Sequence, residues 1–363
     1  MSTPQLAARW LHEADAGLPW LADPVRDWLD NWRGHAALVC GAPGAGQLPA
    51  AAAWAKAWLC DSAAAARQRG EPSPLACGQC QPCRWFAARQ HPDVCWVSSE
   101  AQAQAWELAN AGEAVDEAKP AAAGKKPRKP SAELRVVAVR AAIAWAQRPP
   151  QHSPRRVMVL SPAQAMNDIS ANALLKTLEE PIGETRLLLC VDDPGRLLPT
   201  VRSRCQRLDL PPVLPDQVLP WLSGHIGGDA PVLLAAAGTA LRALELYAQG
   251  ISAAAWQRLP ARALQGEAPA LADWPLPVLL ASLIKLVHDL QCAHLGGTPQ
   301  FFPADALAVW STDLNDLDAR RPGEALATLA RWGQRLTALV RHEGHAWNAA
   351  ILLPALLQWR LAA

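Results

Sequence analysis

The feature that most restricts the fold is a short apolar run, Ala36-Ala37-Leu38-Val39-Cys40, which stops at Gly41-Ala42-Pro43-Gly44-Ala45-Gly46 and leads into the Ala/Trp-rich stretch Pro49–Cys60. A run that is apolar at every position suits a strand buried on both faces of a parallel sheet. Glycines at its end let the chain turn sharply into a helix. Strand, glycine loop and helix in that order predict a phosphate-binding architecture, in which backbone N–H groups at a helix N-terminus surround an anion. The alternation recurs downstream. Arg135–Gln147 has helical spacing, Arg156–Leu160 reads as a buried strand, Gln164–Glu180 as a helix stopped by Pro181, and Arg186–Val191 as another buried strand. Upstream, Leu6–Leu29 has helical spacing too, with Trp10, Trp20 and Trp28 among its apolar positions. Strands alternating with helices predict an α/β domain whose parallel sheet is covered on both faces.

Beyond Leu210 the pair Pro211-Pro212 marks a boundary, and no further strand is expected. Val213–Tyr247 reads as a small helical unit and Ser252–Ala363 as a larger all-helical one, joined near Gly250. The expected division is therefore 1–211, 212–250 and 251–363. Gly112–Ser131 has no apolar period and is rich in Pro, Ala, Lys and Glu, as expected of a flexible surface insertion. Its basic tract, Lys125-Lys126-Pro127-Arg128-Lys129, reads as a solvated linker in preference to a DNA contact.

Composition narrows the class. With 363 residues, 34 Lys plus Arg against 33 Asp plus Glu, and 51% hydrophobic residues, the chain is neither a disordered tail nor a basic coat for nucleic acid. The longest apolar runs, Pro231–Leu241 and Leu276–Ile284, are about half of the 20 residues that span a bilayer, so no membrane partner is expected. The first residues lack the charged and apolar regions of a secretory signal, which predicts a cytoplasmic protein whose nine cysteines are thiols or metal ligands. Seventeen Trp against three Phe and one Tyr are scattered, as expected of core packing.

The glycine loop has the frame of a phosphate loop without its chemistry. A working loop carries Lys after its last glycine, to reach the β- and γ-phosphates, and then Ser or Thr to hold magnesium. Here Gly41, Gly44 and Gly46 are followed by Gln47 and Leu48. The strand ending at Leu160 runs into Ser161-Pro162-Ala163-Gln164, with no carboxylate for magnesium or for activating water. Both losses predict an NTPase fold that does not hydrolyse nucleotide.

Cys77-Gly78-Gln79-Cys80-Gln81-Pro82-Cys83 has metal-knuckle spacing, and Cys60 stands upstream. Four thiolates can hold zinc tetrahedrally with no open position, a structural site. His91 and Cys95 are substitutes for the fourth ligand, and an iron–sulfur cluster or free thiols are the other readings. Cysteines 40, 95, 190, 205 and 292 read as small buried apolar residues.

Two further segments carry a resemblance. Asn172-Ala173-Leu174-Leu175-Lys176-Thr177-Leu178-Glu179-Glu180-Pro181, with Thr200-Val201-Arg202-Ser203-Arg204-Cys205 downstream, resembles the AAA+ subunits of bacterial clamp loaders. Among those of DNA polymerase III, the failed phosphate loop, the missing strand-end acid and the cysteine module resemble the non-motor type. The likeness runs along the whole chain, most specifically over residues 35–210. The Gly112–Ser131 insertion and the Thr3–Gly17 segment depart from the pattern. The resemblance implies an AAA+ α/β domain, with a zinc module at 60–83, then a small helical lid and a helical collar that joins a pentameric ring. It implies a stator within the DNA polymerase III holoenzyme, without ATPase or polymerase activity of its own. The implied partners are the gamma/tau motor subunits, the delta subunit, the sliding clamp and, in the assembled complex, primer-template DNA. It also implies that Arg204 is an arginine finger acting in trans on the ATP of a neighbouring motor subunit. Without it, Arg204 reads as a surface arginine in a short loop, paired with Asp or with solvent.

Other charges carry less. Lys176 and Glu180 stand at i, i+4 and predict a surface pair. Arg202 is a phosphate contact or an exposed side chain. In Gly238-Thr239-Ala240-Leu241-Arg242, Leu241 occupies the offset of a nucleotide-sensing arginine, so no sensor is expected. Two competing functions remain open here. A divergent active ATPase would turn over alone, and a zinc-dependent DNA-binding module would bind DNA alone with strong salt dependence.

Overall fold

The computed structural model describes residues 18–71, 75–106, 130–153, 155–267, 271, 273–340 and 357. Trp10, Thr3–Gly17, the tract 125–129 and nearly all of the 112–131 insertion lie outside the described residues. The chain divides into two compact units, Met1–Leu214 and Pro215–Ala363.

The first unit is built on a parallel sheet whose order, among the described residues, is β2-β3-β4-β1-β5. Its elements run α1 (Ala22–Asn31), β1 (Ala36–Cys40), α2 (Gln47–Leu59), α3 (Asp61–Gln68), α4 (Gln81–Ala87), β2 (Val94–Ser98), α5 (Glu100–Trp106), α6 (Val136–Ala146), β3 (Arg156–Ser161), α7 (Asp168–Glu179), β4 (Thr185–Val191), α8 (Pro199–Arg202) and β5 (Gln206–Asp209). The expected α/β class is the one observed: a parallel sheet with helices, a cysteine module and a helical C-terminal region. Strands β1 and β3 are buried along their whole length and β4 almost so, which is why their residues are apolar without alternation. One face of the sheet, with Leu38, Met158, Leu160, Leu187 and Leu189, packs on Val139 and Ala142 of α6 and Leu174 and Leu178 of α7.

Sequence reading missed β2 and β5. Strand β2 pairs with β3 from Val94↔Val157 to Ser98↔Ser161 and has an outer edge without a partner strand among the described residues. Strand β5 reads Gln-Arg-Leu-Asp and is mostly exposed. It is a strand because β1 offers it a free edge, from Ala37↔Gln206 to Cys40↔Asp209, and not because of its own pattern. The helix expected from Gln164 starts later, at Asp168. Asn167 caps it by accepting from Ser170 N–H at 2.9 Å, while Ala163–Ala165 form a 3₁₀ turn.

The tryptophans explain themselves as packing. Trp28 and Trp32, at α1 and its C-cap, meet Trp54 and Trp58 of α2, with ring centroids 4.8–5.6 Å apart. Ala-rich α2 has little side-chain volume of its own, and the indoles fill the space it leaves. Arg186 of β4 lies over the Trp32 and Trp58 rings at 5.8 and 5.4 Å.

The second unit is helical among the described residues: α9 (Pro215–Ile226), α10 (Ala230–Ala237), α11 (Ala240–Ala248), α12 (Ala253–Gln265), α13 (Leu276–His294), α14 (Ala304–Leu307), α15 (Ser311–Arg320) and α16 (Glu324–Val340). Helix α13 corrects one expectation. The apolar run at 276–284 continues as a 19-residue helix, long and apolar enough to cross a membrane by length and composition alone. Two of its ionisable residues, Lys285 and Asp289, are bound within the unit. Lys285 Nζ donates to Ala236 O at 2.6 Å, and the fully buried Asp289 accepts from the N–H groups of Gln300, Phe301 and Phe302.

Candidate functional site

Three groups of residues were singled out from the sequence, and all lie in the first unit. The glycine loop leaves β1 and enters α2. Gly44 and Gly46 have φ of +80° and +108°, a region open to glycine at little cost. A Cβ on Gly46 would also stand 3.1 Å from Leu21 and 3.3 Å from Leu18, so apolar side chains cover the loop closely.

Gln47 stands where a working loop has its lysine, and its carboxamide turns back into the loop. Nε2 donates to Gly41 O at 2.6 Å, Ala42 O at 3.1 Å and Asp192 Oδ1 at 2.7 Å. Oε1 accepts from Gly46 N–H at 3.1 Å. The side chain is 6% exposed. One of the loop's amides is thus spent on a neutral group of the chain itself. The strand-end position of β3 carries Ser161, whose Oγ accepts from Gln102 Nε2 at 3.0 Å. A carboxylate does stand nearby, on the adjacent strand end: Asp192, after β4, whose second oxygen accepts from Gln164 Nε2 at 3.2 Å. Sequence reading missed Asp192 and Gln164 as members of this site. The available signal was an acid directly after a buried strand, at the carboxyl edge of a parallel sheet where ligands gather.

The cysteine module is brought together as expected. The sulfurs of Cys60, Cys77, Cys80 and Cys83 all lie within 4.8 Å of one another, and His91 and Cys95 are outside the group. Cys60 and Cys80 sulfurs are 3.8 Å apart. A tetrahedron of 2.3 Å metal–sulfur bonds has edges of about 3.8 Å, so the donor set fits a thiolate-bound ion such as zinc. Local geometry explains the spacing. Gly78 takes φ +74°, Cys77 N–H points to Cys60 Sγ at 3.3 Å, and Cys80 N–H points to Cys77 Sγ at 3.4 Å before α4 begins with Pro82 in its first turn. The thiols are unequal. Donation from Cys83 holds Cys60 down at about 4 and pushes Cys83 up, while the Ser62 hydroxyl lowers Cys77 and burial raises Cys80.

The outlying groups have other roles. Burial takes His91 down to about 4, and its Nδ1 accepts from Asp93 N–H. Of the remaining cysteines, Cys40, Cys95 and Cys190 are buried as expected, whereas Cys205 and Cys292 are half-buried.

Arg204 lies between α8 and β5. Its Nε donates to Glu179 Oε1 at 2.6 Å, its Nη2 contacts the same oxygen, and its Nη1 donates to Thr200 O at 2.9 Å. Among the described residues the expected Lys176–Glu180 pair does not form. Glu179, which sequence reading passed over, pairs with Arg204 instead. No local signal joins residues 25 apart. Arg202 is exposed, Arg242 pairs with Glu245 at 2.8 Å, and Leu241 is buried.

Comparison with known proteins bears on this arrangement. The model of a family described as DNA polymerase III, delta subunit, matches residues 26–214. DNA polymerase III subunit delta' of Pseudomonas aeruginosa is 34% identical over 222 residues, covering 60% of this chain. That match spans 57% of the relative's own length. The delta' subunit of Escherichia coli is 30% identical over 293 residues, 74% of this chain and 77% of that protein. Among solved structures, a gamma subunit-related DNA polymerase III protein from Thermotoga maritima aligns with 93% of this chain and 99% of its own, at TM-score 0.41 and 14% identity.

Proposed function

We propose that this chain, which belongs to the DNA polymerase III delta-subunit family and is related within it to the delta prime subunits, is a non-hydrolysing stator of a cytoplasmic clamp loader. The observation that carries this reading is the glycine loop closed on Gln47. Hydrolysis needs a cation among the β- and γ-phosphates and a magnesium ligand beside it. Here a neutral carboxamide occupies the loop, Leu48 follows it, and Ser161 stands at the end of β3.

The chain's part in the reaction is then Arg204. A planar, permanently charged fork stabilises charge on a phosphoryl group in transfer, and it does so from a neighbouring subunit as well as from within one. In this reading Arg204 faces ATP held by a gamma/tau motor subunit, and the ring that includes the delta subunit opens the sliding clamp for primer-template DNA. Residues 212–250 form the lid and 251–363 the collar through which the ring assembles. Cys60, Cys77, Cys80 and Cys83 hold zinc, which supplies a cross-link between the end of α2 and the turn before α4, with no part in chemistry.

The test is a clamp loader reconstituted with Arg204→Ala. Assembly and metal content should be unchanged, while turnover at the facing ATP site falls by about 10³-fold and total DNA-stimulated ATPase falls by that site's share. Unchanged ATPase and loading would refute the finger. The isolated chain should show background ATPase only, and turnover by it would favour the divergent-ATPase reading.

A further inference from the structure

Glu179 has no role in anything described so far, and its location is costly. It lies in the last turn of α7 beside Glu180, where the helix carbonyls already carry partial negative charge and a carboxylate is disfavoured. The compensation comes from Arg204, and it takes a particular form. Glu179 Oε1 receives the Nε flank of the guanidinium, at 2.6 Å from Nε and in contact with Nη2. Thr200 O receives Nη1 at 2.9 Å, with Ser203 Oγ 3.4 Å from the same nitrogen. A guanidinium has five N–H groups. These partners occupy four, leaving one Nη2 N–H without an acceptor among the described residues. The fork is therefore gripped on two sides, from α7 and from α8 with its C-cap Ser203.

We propose that Glu179 is a positioning residue for Arg204, holding its guanidinium plane so that the free Nη2 corner meets the phosphate of a neighbouring subunit's ATP. The proposal rests on the reading of Arg204 as a finger. An arginine loses much rotamer freedom when it docks, and a fork ordered beforehand has less to lose at the reacting step. Exposure sets the scale. The side chains are 32% and 46% exposed, so the pair is solvated and shifts an equilibrium by no more than about fivefold. That strength orders the guanidinium while letting it adjust to a phosphate that brings more charge than one carboxylate.

The experiment uses the reconstituted clamp loader, with DNA-stimulated ATPase measured against ATP concentration for wild type, Glu179→Ala, Glu179→Gln, Arg204→Ala and Glu179→Ala/Arg204→Ala. Glu179→Ala should lower turnover at the facing ATP site by up to about fivefold, so that total ATPase falls by less than in Arg204→Ala, with ATP KM nearly unchanged. Glu179→Gln should recover part of the loss, because its amide oxygen still accepts from Nε. The double variant should be no slower than Arg204→Ala, since Glu179 acts only through Arg204. Wild-type turnover in Glu179→Ala, with Arg204→Ala impaired, overturns the positioning role and leaves the finger standing. Faster turnover in Glu179→Ala overturns it as well, because Glu179 would then be sequestering the arginine. A double variant slower than Arg204→Ala assigns Glu179 to the fold instead. If Arg204→Ala itself is unimpaired, the finger fails and the proposal with it.

Discussion

Replacing Gln47 tests whether the glycine loop is closed by its own side chain. In Gln47→Ala four contacts disappear: those to Gly41 O, Ala42 O and Asp192 Oδ1, and that from Gly46 N–H. Their losses are unequal. Ala42 and Asp192 are exposed and regain water, whereas Gly46 is buried beneath Leu18 and Leu21, and Gly41 is half-buried. Two backbone groups left without partners cost about 1–3 kcal/mol each, so a total of about 2–6 kcal/mol is expected. At about 2–4 °C per kcal/mol for a unit of this size, the melting temperature should fall by about 4–24 °C. Gln47→Lys separates stability from function. An ammonium can donate to the same three acceptors but leaves Gly46 N–H without its own, so the melting temperature should fall by less than in Gln47→Ala. The same geometry pairs it with Asp192, which withholds its charge from a phosphate. Gln47→Lys should therefore bind ATP no more tightly than wild type, while Gln47→Lys/Asp192→Asn should bind the triphosphate more tightly without hydrolysing it, because Ser161 still stands at the end of β3. Calorimetry supplies the melting points and a fluorescent ATP analogue the binding. Tighter nucleotide binding by Gln47→Lys alone than by wild type, or an unchanged melting point in Gln47→Ala, would refute the reasoning.

Two further outcomes follow from buried groups in the same unit. The purified chain should carry stoichiometric zinc, and Cys83→Ser should lose it with weakened packing at the end of α2. Because protons compete for the sulfurs, metal should be released on acidification, as followed by a zinc-sensitive dye; iron in its place, or full zinc retention in Cys83→Ser, would count against the four-thiolate site. Asp93, fully buried, accepts from the N–H groups of Gln151, His152 and Ser153 at 2.8–2.9 Å and lies 3.7 Å from Arg156 Nε. Burial pushes its carboxyl up, but the three N–H groups and His91 outweigh it, and the result is below the ordinary value. A carboxyl lowered in the folded state stabilises at pH above its unfolded value of about 3.9 and loses that contribution as pH falls towards the folded value. Urea midpoints of wild type and Asp93→Asn should therefore differ by a constant amount above about pH 5 and converge below about pH 4. A difference that grows in acid would contradict this.

The chain's sequence was most informative where chemistry is local. Buried strands β1, β3 and β4 announced themselves because a strand covered on both faces must be apolar throughout, and α6 because its apolar positions recur every turn. Strands β2 and β5 were missed for a physical reason as well: an edge strand answers to its neighbour's unpaired N–H and C=O groups, and Gln206-Arg207-Leu208-Asp209 has no periodicity to read. The tryptophan excess made sense only once α1 and α2 were seen to meet through Trp28, Trp32, Trp54 and Trp58.

The same division runs through the candidate site. By itself the sequence determined that the loop lacks its lysine and magnesium ligand, that three cysteines stand at knuckle spacing, and that an arginine follows Ser203; these are matters of residue type and short separation. Tertiary structure alone decided what those residues meet. It closed four sulfurs around one point, with Cys60 as the fourth. It brought Asp192 to a glutamine 145 residues away, and it set Glu179 against Arg204 in preference to the helix neighbour four residues from Lys176. Each of those meetings depends on strand order and helix docking, which decide long-range contacts that no local pattern encodes.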